Sequence, residues 1–134
     1  MNFEHVGLNV AEPLAAAAWY AEHLGLTIVR RKEQPPFTVF LADSDGTMLV
    51  EFYLNPPDAV PPYATMNPLL LHLAFVSADP AQDKDRLIRA GAKFVEDLYL
   101  TDGTCLVMLR DPWGLALQLC KRGAPLRRSL QIKT

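Results

Sequence analysis

The feature that most constrains this chain is an internal repeat with a spacing of 67 residues. His5 and His72 are separated by 67 residues, and so are Glu51 and Gln118. Each of these polar residues stands in a short run of apolar residues, a pattern typical of a β-strand. Similarity at one spacing across several elements indicates that a single unit has been duplicated.

Each half of the chain is predicted to fold as one strand, one helix and three further strands. The first helix is predicted over residues 14–24, with Gly25 as its stop, and the second begins after an N-cap at Asp79 and stops at Gly91. The predicted strands are residues 3–10, 27–31, 37–42 and 47–54, then residues 70–76, 93–99, 105–110 and 115–120. We therefore predict an α+β fold made of two βαβββ modules.

A proline-rich connector separates the two halves. Residues 55–69 hold five of the eleven prolines, and proline fixes φ and removes a backbone donor. Neither a helix nor a central strand is expected there. We place the first module at residues 1–54, the second at 70–121 and a basic tail at 122–134, with one domain overall from about residue 3 to residue 121.

Composition excludes several classes of protein. Half of the 134 residues are hydrophobic and 21% are charged, which rules out intrinsic disorder. Acidic residues outnumber basic ones by 15 to 13, so we expect no nucleic-acid partner held by bulk charge. No apolar run approaches the ~18 residues of a membrane span, and no secretory signal pattern is visible. The two cysteines form no CxxC motif, which favours free thiols and a cytoplasmic location.

The four repeated polar residues are candidates for a metal site. Residues two apart share a strand face, so Glu51 is expected beside Tyr53, and Gln118 beside Cys120. A carboxylate among apolar neighbours costs several kcal/mol unless a cation or strong donors meet it. Two imidazoles and a carboxylate could meet that need by binding Zn, Ni, Fe, Mn or Co. The alternative is that Glu51 simply pairs with one histidine in a half-buried polar pocket.

The chain resembles the vicinal oxygen chelate superfamily, which includes glyoxalase I, extradiol dioxygenases, methylmalonyl-CoA epimerase and bleomycin resistance proteins. The matching segments are His5-Val6-Gly7-Leu8-Asn9-Val10, Trp19-Tyr20 followed by Leu24-Gly25-Leu26, Val50-Glu51-Phe52, His72-Leu73-Ala74-Phe75-Val76, and Asp111-Pro112-Trp113-Gly114 before Leu117-Gln118-Leu119. The resemblance implies two βαβββ modules whose curved mixed sheets surround a central cleft with a divalent metal. It also implies a homodimer, in which the site can draw one module from each chain.

Carried over position by position, the resemblance implies four metal ligands, with Glu51 as the catalytic residue. These ligands are His5, Glu51, His72 and Gln118. Gln118 departs from the family pattern, because catalytic members typically have Glu there. A glutamine has no proton to exchange and cannot act as a general base.

Four further residues are predicted to contact a small-molecule substrate: Asn9, Tyr53, Asn55 and Cys120. Asn55 matches a glutathione-contacting Asn of glyoxalase I, whereas Asn9 stands where that enzyme has an Arg, so glutathione itself is not supported. Tyr53 could donate a hydrogen bond to a substrate oxygen. Cys120 is expected to line the same face as Gln118, either as a thiolate or as a small apolar residue.

Two functions of different classes remain open. The first is a divalent-metal-dependent lyase, isomerase or dioxygenase acting on a small oxygen-chelating substrate. The second is a non-catalytic protein that binds or sequesters a small molecule, as bleomycin-resistance members do, and needs no metal. The two histidines and Glu51 favour the first, and the missing second carboxylate at position 118 favours the second.

Overall fold

The computed structural model describes residues 1–47 and 49–126. The elements are β1 (His5–Asn9), α1 (Pro13–Leu24), β2 (Thr27–Arg31), β3 (Val39–Ala42), β4 (Leu49–Tyr53), a 3₁₀ helix (Tyr63–Thr65), β5 (Leu73–Val76), α2 (Pro80–Arg89), β6 (Lys93–Tyr99), β7 (Cys105–Arg110) and β8 (Ala116–Lys121). This order confirms the α+β prediction of two βαβββ modules. No helix in the described part of the chain is long and apolar enough to cross a membrane.

The chain divides into two compact units, Met1–Pro62 and Tyr63–Thr134. The division falls inside the predicted connector at residues 55–69. Residues 127–134, which make up most of the predicted basic tail, lie outside the described part of the chain.

The first unit is a four-stranded mixed sheet with one helix packed on it. Its strand order is β1-β4-β3-β2, with β1 parallel to β4 and the other neighbours antiparallel. Tyr20 of α1 is fully buried and its ring meets that of Phe52 on β4 at 5.4 Å. The alternate residues of β4, among them Glu51 and Tyr53, are only half-buried. One sheet face therefore forms the core with α1, and the other carries the polar side chains.

The second unit repeats this arrangement. Its strand order is β5-β8-β7-β6, again with one parallel and two antiparallel pairs. Helix α2 begins where the sequence predicts, because the Asp79 side chain accepts a hydrogen bond from the Gln82 backbone N–H at 3.1 Å. Leu87 of α2 and Leu117 of β8 are fully buried and form part of the core.

Strand register preserves the 67-residue repeat. Gly7 lies opposite Glu51 in the parallel pair of the first unit, and Ala74 lies opposite Gln118 in that of the second. Each unit also has a register shift at the corresponding place, between Ile28 and Arg30 in one and between Phe94 and Glu96 in the other. The duplication therefore extends to backbone pairing.

The connector contains the main departure from the predicted elements. Strand β5 begins at Leu73 and not at Leu70, so His72 immediately precedes the strand. The reason is a turn at Asn67, whose side-chain oxygen accepts from the Leu69 N–H and whose carbonyl accepts from the Leu70 N–H. The expectation that no helix forms here is wrong by one 3₁₀ turn at Tyr63–Thr65. Smaller differences are the starts of β1, β3, β4 and β8, at His5, Val39, Leu49 and Ala116.

Candidate metal and substrate site

The polar face of the first unit is built around a contact between His5 and Glu51. His5 Nε2 lies 3.1 Å from Glu51 Oε2, and its other ring nitrogen, Nδ1, lies 2.8 Å from Glu4 Oε1. Phe40 on β3 meets the imidazole edge to face, with 5.4 Å between ring centroids. The Glu51 side chain is 20% exposed, so it is only partly solvated. The ring of His5 is thus held between a carboxylate on each side and an aromatic wall.

Gly7 makes room for the side chains of this face. A Cβ added at Gly7 would lie 3.1 Å from Tyr53 Cε1, 3.4 Å from the Tyr53 hydroxyl oxygen and 3.5 Å from Glu51 Oε2. Tyr53 and Glu51 therefore both lean over strand β1 at the point where it has no side chain. The structure places the predicted substrate donor Tyr53 beside the predicted catalytic residue Glu51.

His72, the counterpart of His5, is oriented by the connector. Its Nδ1 lies 2.9 Å from the carbonyl oxygen of Pro68, and the ring is half-buried. A carbonyl oxygen can only accept, so in this contact Nδ1 carries the hydrogen. The lone pair of a neutral His72 ring is then on Nε2, which is the arrangement that a histidine ligand needs.

Gln118 and Cys120 lie together on β8, as their spacing predicts. The Cys120 Sγ donates to Gln118 Oε1 at 3.2 Å. Cys120 is buried, and this burial raises the pKa of its thiol, although Arg122 acts weakly in the opposite direction. The thiol is therefore protonated near neutral pH, which favours a small hydrogen-bond donor over the thiolate alternative. Cys105 is also a free, buried thiol.

The two predicted substrate-contacting asparagines are joined to each other by the backbone. Asn9 Nδ2 donates to the Pro56 carbonyl at 2.8 Å and to that of Ala59 at 3.4 Å, while its Oδ1 accepts from the Asn55 N–H at 2.8 Å. Asn9 thus fastens the start of the connector to the end of β1. Its role in substrate binding, and that of Asn55, stays a prediction.

The donor atoms of the first unit fit a metal ion. At metal–ligand distances of about 2.1 Å, two ligand atoms at right angles around the ion lie roughly 3 Å apart. The separation of 3.1 Å between His5 Nε2 and Glu51 Oε2 matches this spacing. Within neither unit do the described residues include a group of three or more His, Cys, Asp and Glu side chains that could hold a metal. The structure brings together His5 with Glu51 and, separately, Gln118 with Cys120.

Sequence reasoning missed three contributors to these contacts. Phe40 is one apolar residue among many in its strand, and no sequence pattern marks it as a wall of the His5 site. The backbone carbonyl of Pro68 has no side-chain signature at all. Gly7 is the exception, because a glycine inside a strand is a recognisable sign that another group approaches closely.

The chain was compared with known families and solved structures. The family model described as Glyoxalase/Bleomycin resistance protein/Dioxygenase superfamily matches residues 2–119. No curated protein matches the sequence at a significant level.

Three solved structures illustrate the fold similarity, and each is less than 20% identical to the chain. A glyoxalase family protein from Bacillus cereus has 18% identity and a TM-score of 0.75, covering 90% of this chain and 93% of its own. A lactoylglutathione lyase from Agrobacterium tumefaciens has 19% identity and a TM-score of 0.65, with the same two coverages of 90% and 93%. TnmS3, an antibiotic binding protein from Streptomyces sp. CB03234, has 18% identity and a TM-score of 0.65, covering 89% and 96%.

Proposed function

The chain belongs to the Glyoxalase/Bleomycin resistance protein/Dioxygenase superfamily, and from that premise we propose that it is a glyoxalase-like, divalent-metal-dependent enzyme. Its substrate in this proposal is a small molecule that offers two neighbouring oxygen atoms to the metal. The reaction is that of a lyase, an isomerase or a dioxygenase. The ligands are His5, Glu51, His72 and Gln118, which occupy equivalent positions of the two modules.

The single observation that supports this proposal most strongly is the contact between His5 and Glu51. A partly solvated carboxylate 3.1 Å from an imidazole nitrogen has the separation of two neighbouring ligands on one ion. Imidazole nitrogen and carboxylate oxygen together suit Zn, Ni, Fe, Mn and Co. The orientation of His72, with Nδ1 committed to the Pro68 carbonyl, adds an imidazole whose Nε2 has its lone pair available.

A bound divalent ion supplies Lewis-acid polarisation of a substrate oxygen. The rest of the chemistry belongs to residues of the first unit. Glu51 is the only carboxylate among the four proposed ligands, so it is the group that accepts a substrate proton at Oε1 or Oε2. Tyr53 lies beside it over Gly7 and can donate its hydroxyl hydrogen to a substrate oxygen.

A second candidate function, sequestration of a small molecule without catalysis, is favoured by position 118. Gln118 is neutral, and its amide oxygen already accepts a hydrogen bond from the Cys120 thiol. A site with one carboxylate in place of two has less capacity for proton transfer. One structural neighbour is described as an antibiotic binding protein, which shows that this fold also serves binding.

Metal analysis of the purified protein separates the two functions. We expect protein purified without added metal or chelator to contain a divalent transition metal, at a ratio that Glu51→Gln lowers. Glu96→Gln is the matched control, because Glu96 is exposed on β6. Metal in the wild type and the control, but not in Glu51→Gln, supports the enzyme. Metal-free protein that also fails to take up Ni or Zn from solution would refute it and leave the sequestering function.

A further inference from the structure

The contacts around Arg110 point to a role beyond those of the four proposed ligands. Arg110 is the last residue of β7, and its guanidinium is half-buried. Its Nη1 donates to the carbonyl of Tyr63 at 2.7 Å and to that of Gly114 at 3.1 Å, and its Nη2 donates to the carbonyl of Met66 at 2.6 Å. One side chain thus ties both ends of the 3₁₀ turn to the β7–β8 turn.

This anchor lies at one end of a short hydrogen-bonded path that ends at His72. After Met66, the Asn67 side chain accepts from the Leu69 N–H at 2.9 Å, and the Asn67 carbonyl accepts from the Leu70 N–H at 3.0 Å. The carbonyl of Pro68, inside this turn, accepts from His72 Nδ1. Every step of the path between Arg110 and the imidazole is therefore a hydrogen bond or a covalent neighbour.

The strand geometry explains why such an anchor is needed. His72 precedes β5 and is not paired in the sheet, so the ladder does not fix its backbone. His5, its counterpart, begins β1 and is paired with Leu49. The two equivalent histidines are thus held by different means: His5 by the sheet and by two carboxylates, His72 by the connector.

We propose that Arg110 is a positioning residue that sets the ring orientation and tautomer of His72 through the turn at Met66–Pro68. The proposal rests on the metal-binding function above for its purpose, since the orientation leaves Nε2 available as a ligand. It does not depend on metal for its geometry, which belongs to residues of the second unit alone.

Long-range ¹H–¹⁵N NMR of histidine rings in metal-free protein tests the positioning directly. At about pH 8.5, well above the ordinary pKa of imidazole, we expect the wild-type His72 ring to carry its hydrogen on Nδ1. Arg110→Met keeps the length of the side chain and removes its donors. We expect it to move His72 toward the form with hydrogen on Nε2, while His5 and His23 keep their signals. Arg89→Met is the matched control, because Arg89 is exposed on α2.

A second variant keeps the test decisive if Arg110→Met does not fold. Asn67→Ala changes an exposed residue and removes only the side-chain acceptor of the turn. It should shift the His72 tautomer in the same direction and to a smaller extent. A general loss of stability without a local role would leave the tautomer of the folded fraction unchanged, and that result in both variants would overturn the proposal.

Metal titration distinguishes failure of this inference from failure of the proposed function. With Ni²⁺ as the probe, we expect Arg110→Met to weaken binding by about 10- to 100-fold, as changes to groups that orient a metal ligand do. A tautomer shift together with wild-type protein that binds no Ni²⁺ would support positioning by Arg110 and refute the metal-dependent function. An unchanged tautomer with normal Ni²⁺ binding would do the reverse.

Discussion

Among individual residues, Gln118 carries the largest chemical consequence. It lies on β8 opposite Ala74, as Glu51 lies on β4 opposite Gly7, so the two positions are equivalent in the duplicated fold. One module presents an anion and the other a neutral amide that already accepts from the Cys120 thiol. This difference limits the proton-transfer chemistry of the proposed site to Glu51.

Replacing Gln118 with Glu should strengthen metal binding and make stability depend on the metal. An anionic ligand in place of a neutral one of nearly equal volume should lower the dissociation constant for Ni²⁺ roughly tenfold. In metal-free protein near pH 7, the new half-buried carboxylate must lose hydration, so the melting temperature should fall. Thermal unfolding with and without Ni²⁺ measures both effects.

The control is Gln34→Glu, at an exposed position of the β2–β3 connection. It should change neither the affinity nor the melting temperature. If Gln118→Glu lowers stability by the same amount with and without Ni²⁺, the metal-site interpretation is wrong.

At the level of structural elements, the β7–β8 turn decides how the connector is held. Asp111 is buried, and its Oδ1 accepts from the Trp113 N–H at 2.9 Å and the Leu115 N–H at 3.0 Å. Gly114 has a φ of 96°, and a Cβ there would lie 2.6 Å from the backbone Cα of Ala64. The Asp-Pro-Trp-Gly sequence is thus a structural motif that lets the 3₁₀ helix approach the turn.

Gly114→Ala should therefore cost more than an ordinary glycine substitution. Backbone strain at positive φ and a clash with backbone atoms together should lower the free energy of unfolding by about 2 to 4 kcal/mol. Gly103→Ala isolates the first contribution, because Gly103 has a φ of 88° with nothing within 4 Å of an added Cβ. It should cost about 1 to 2 kcal/mol. Equal losses in urea denaturation would contradict the close approach.

The sequence predicts the elements of both modules well because each is marked by local signals. Strands β2, β6 and β7 match their predicted bounds, and the cap at Asp79 is where the sequence indicates. The 67-residue repeat also predicts the equivalence of positions 51 and 118. These features depend on periodicity, capping and turn chemistry, which are readable over a few residues.

The parts that sequence could not predict depend on contacts between distant segments. Arg110 reaches carbonyls that lie 47 and 44 residues earlier, and Asn9 reaches the connector 47 residues later. Backbone carbonyls carry no side-chain signature, so neither tie leaves a motif. The early start predicted for β5 has the same origin, because the turn at Asn67 is set by its own hydrogen bonds and not by apolar spacing.

At the scale of the whole molecule, we predict a homodimer. Mean hydropathy is +0.07, and several large apolar side chains are exposed, with Val76 on the edge strand β5 at 91%. A partner subunit would cover such a surface. Sedimentation at micromolar concentration should give a species of about twice the 14.9 kDa chain mass.

A charge reversal of the exposed surface tests where the dimer forms. Val76→Lys should raise the dissociation constant of the dimer at least about tenfold, since it would bury an unpaired charge. Val29→Lys, on strand β2 of the first unit, is the matched control, because Val29 is also an exposed strand valine, at 58%. A wild-type protein that sediments only as a 14.9 kDa species would contradict the dimer.

The central claim is that two equivalent histidines, one from each module, bind the same divalent ion. Calorimetric titration with Ni²⁺ of wild type, His5→Ala, His72→Ala and the control His23→Ala tests it most directly. The account predicts that wild type and His23→Ala bind alike, and that the other two variants lose affinity by similar factors of about 100-fold or more. Loss of binding in only one of those two variants, or no binding by the wild type, would contradict it.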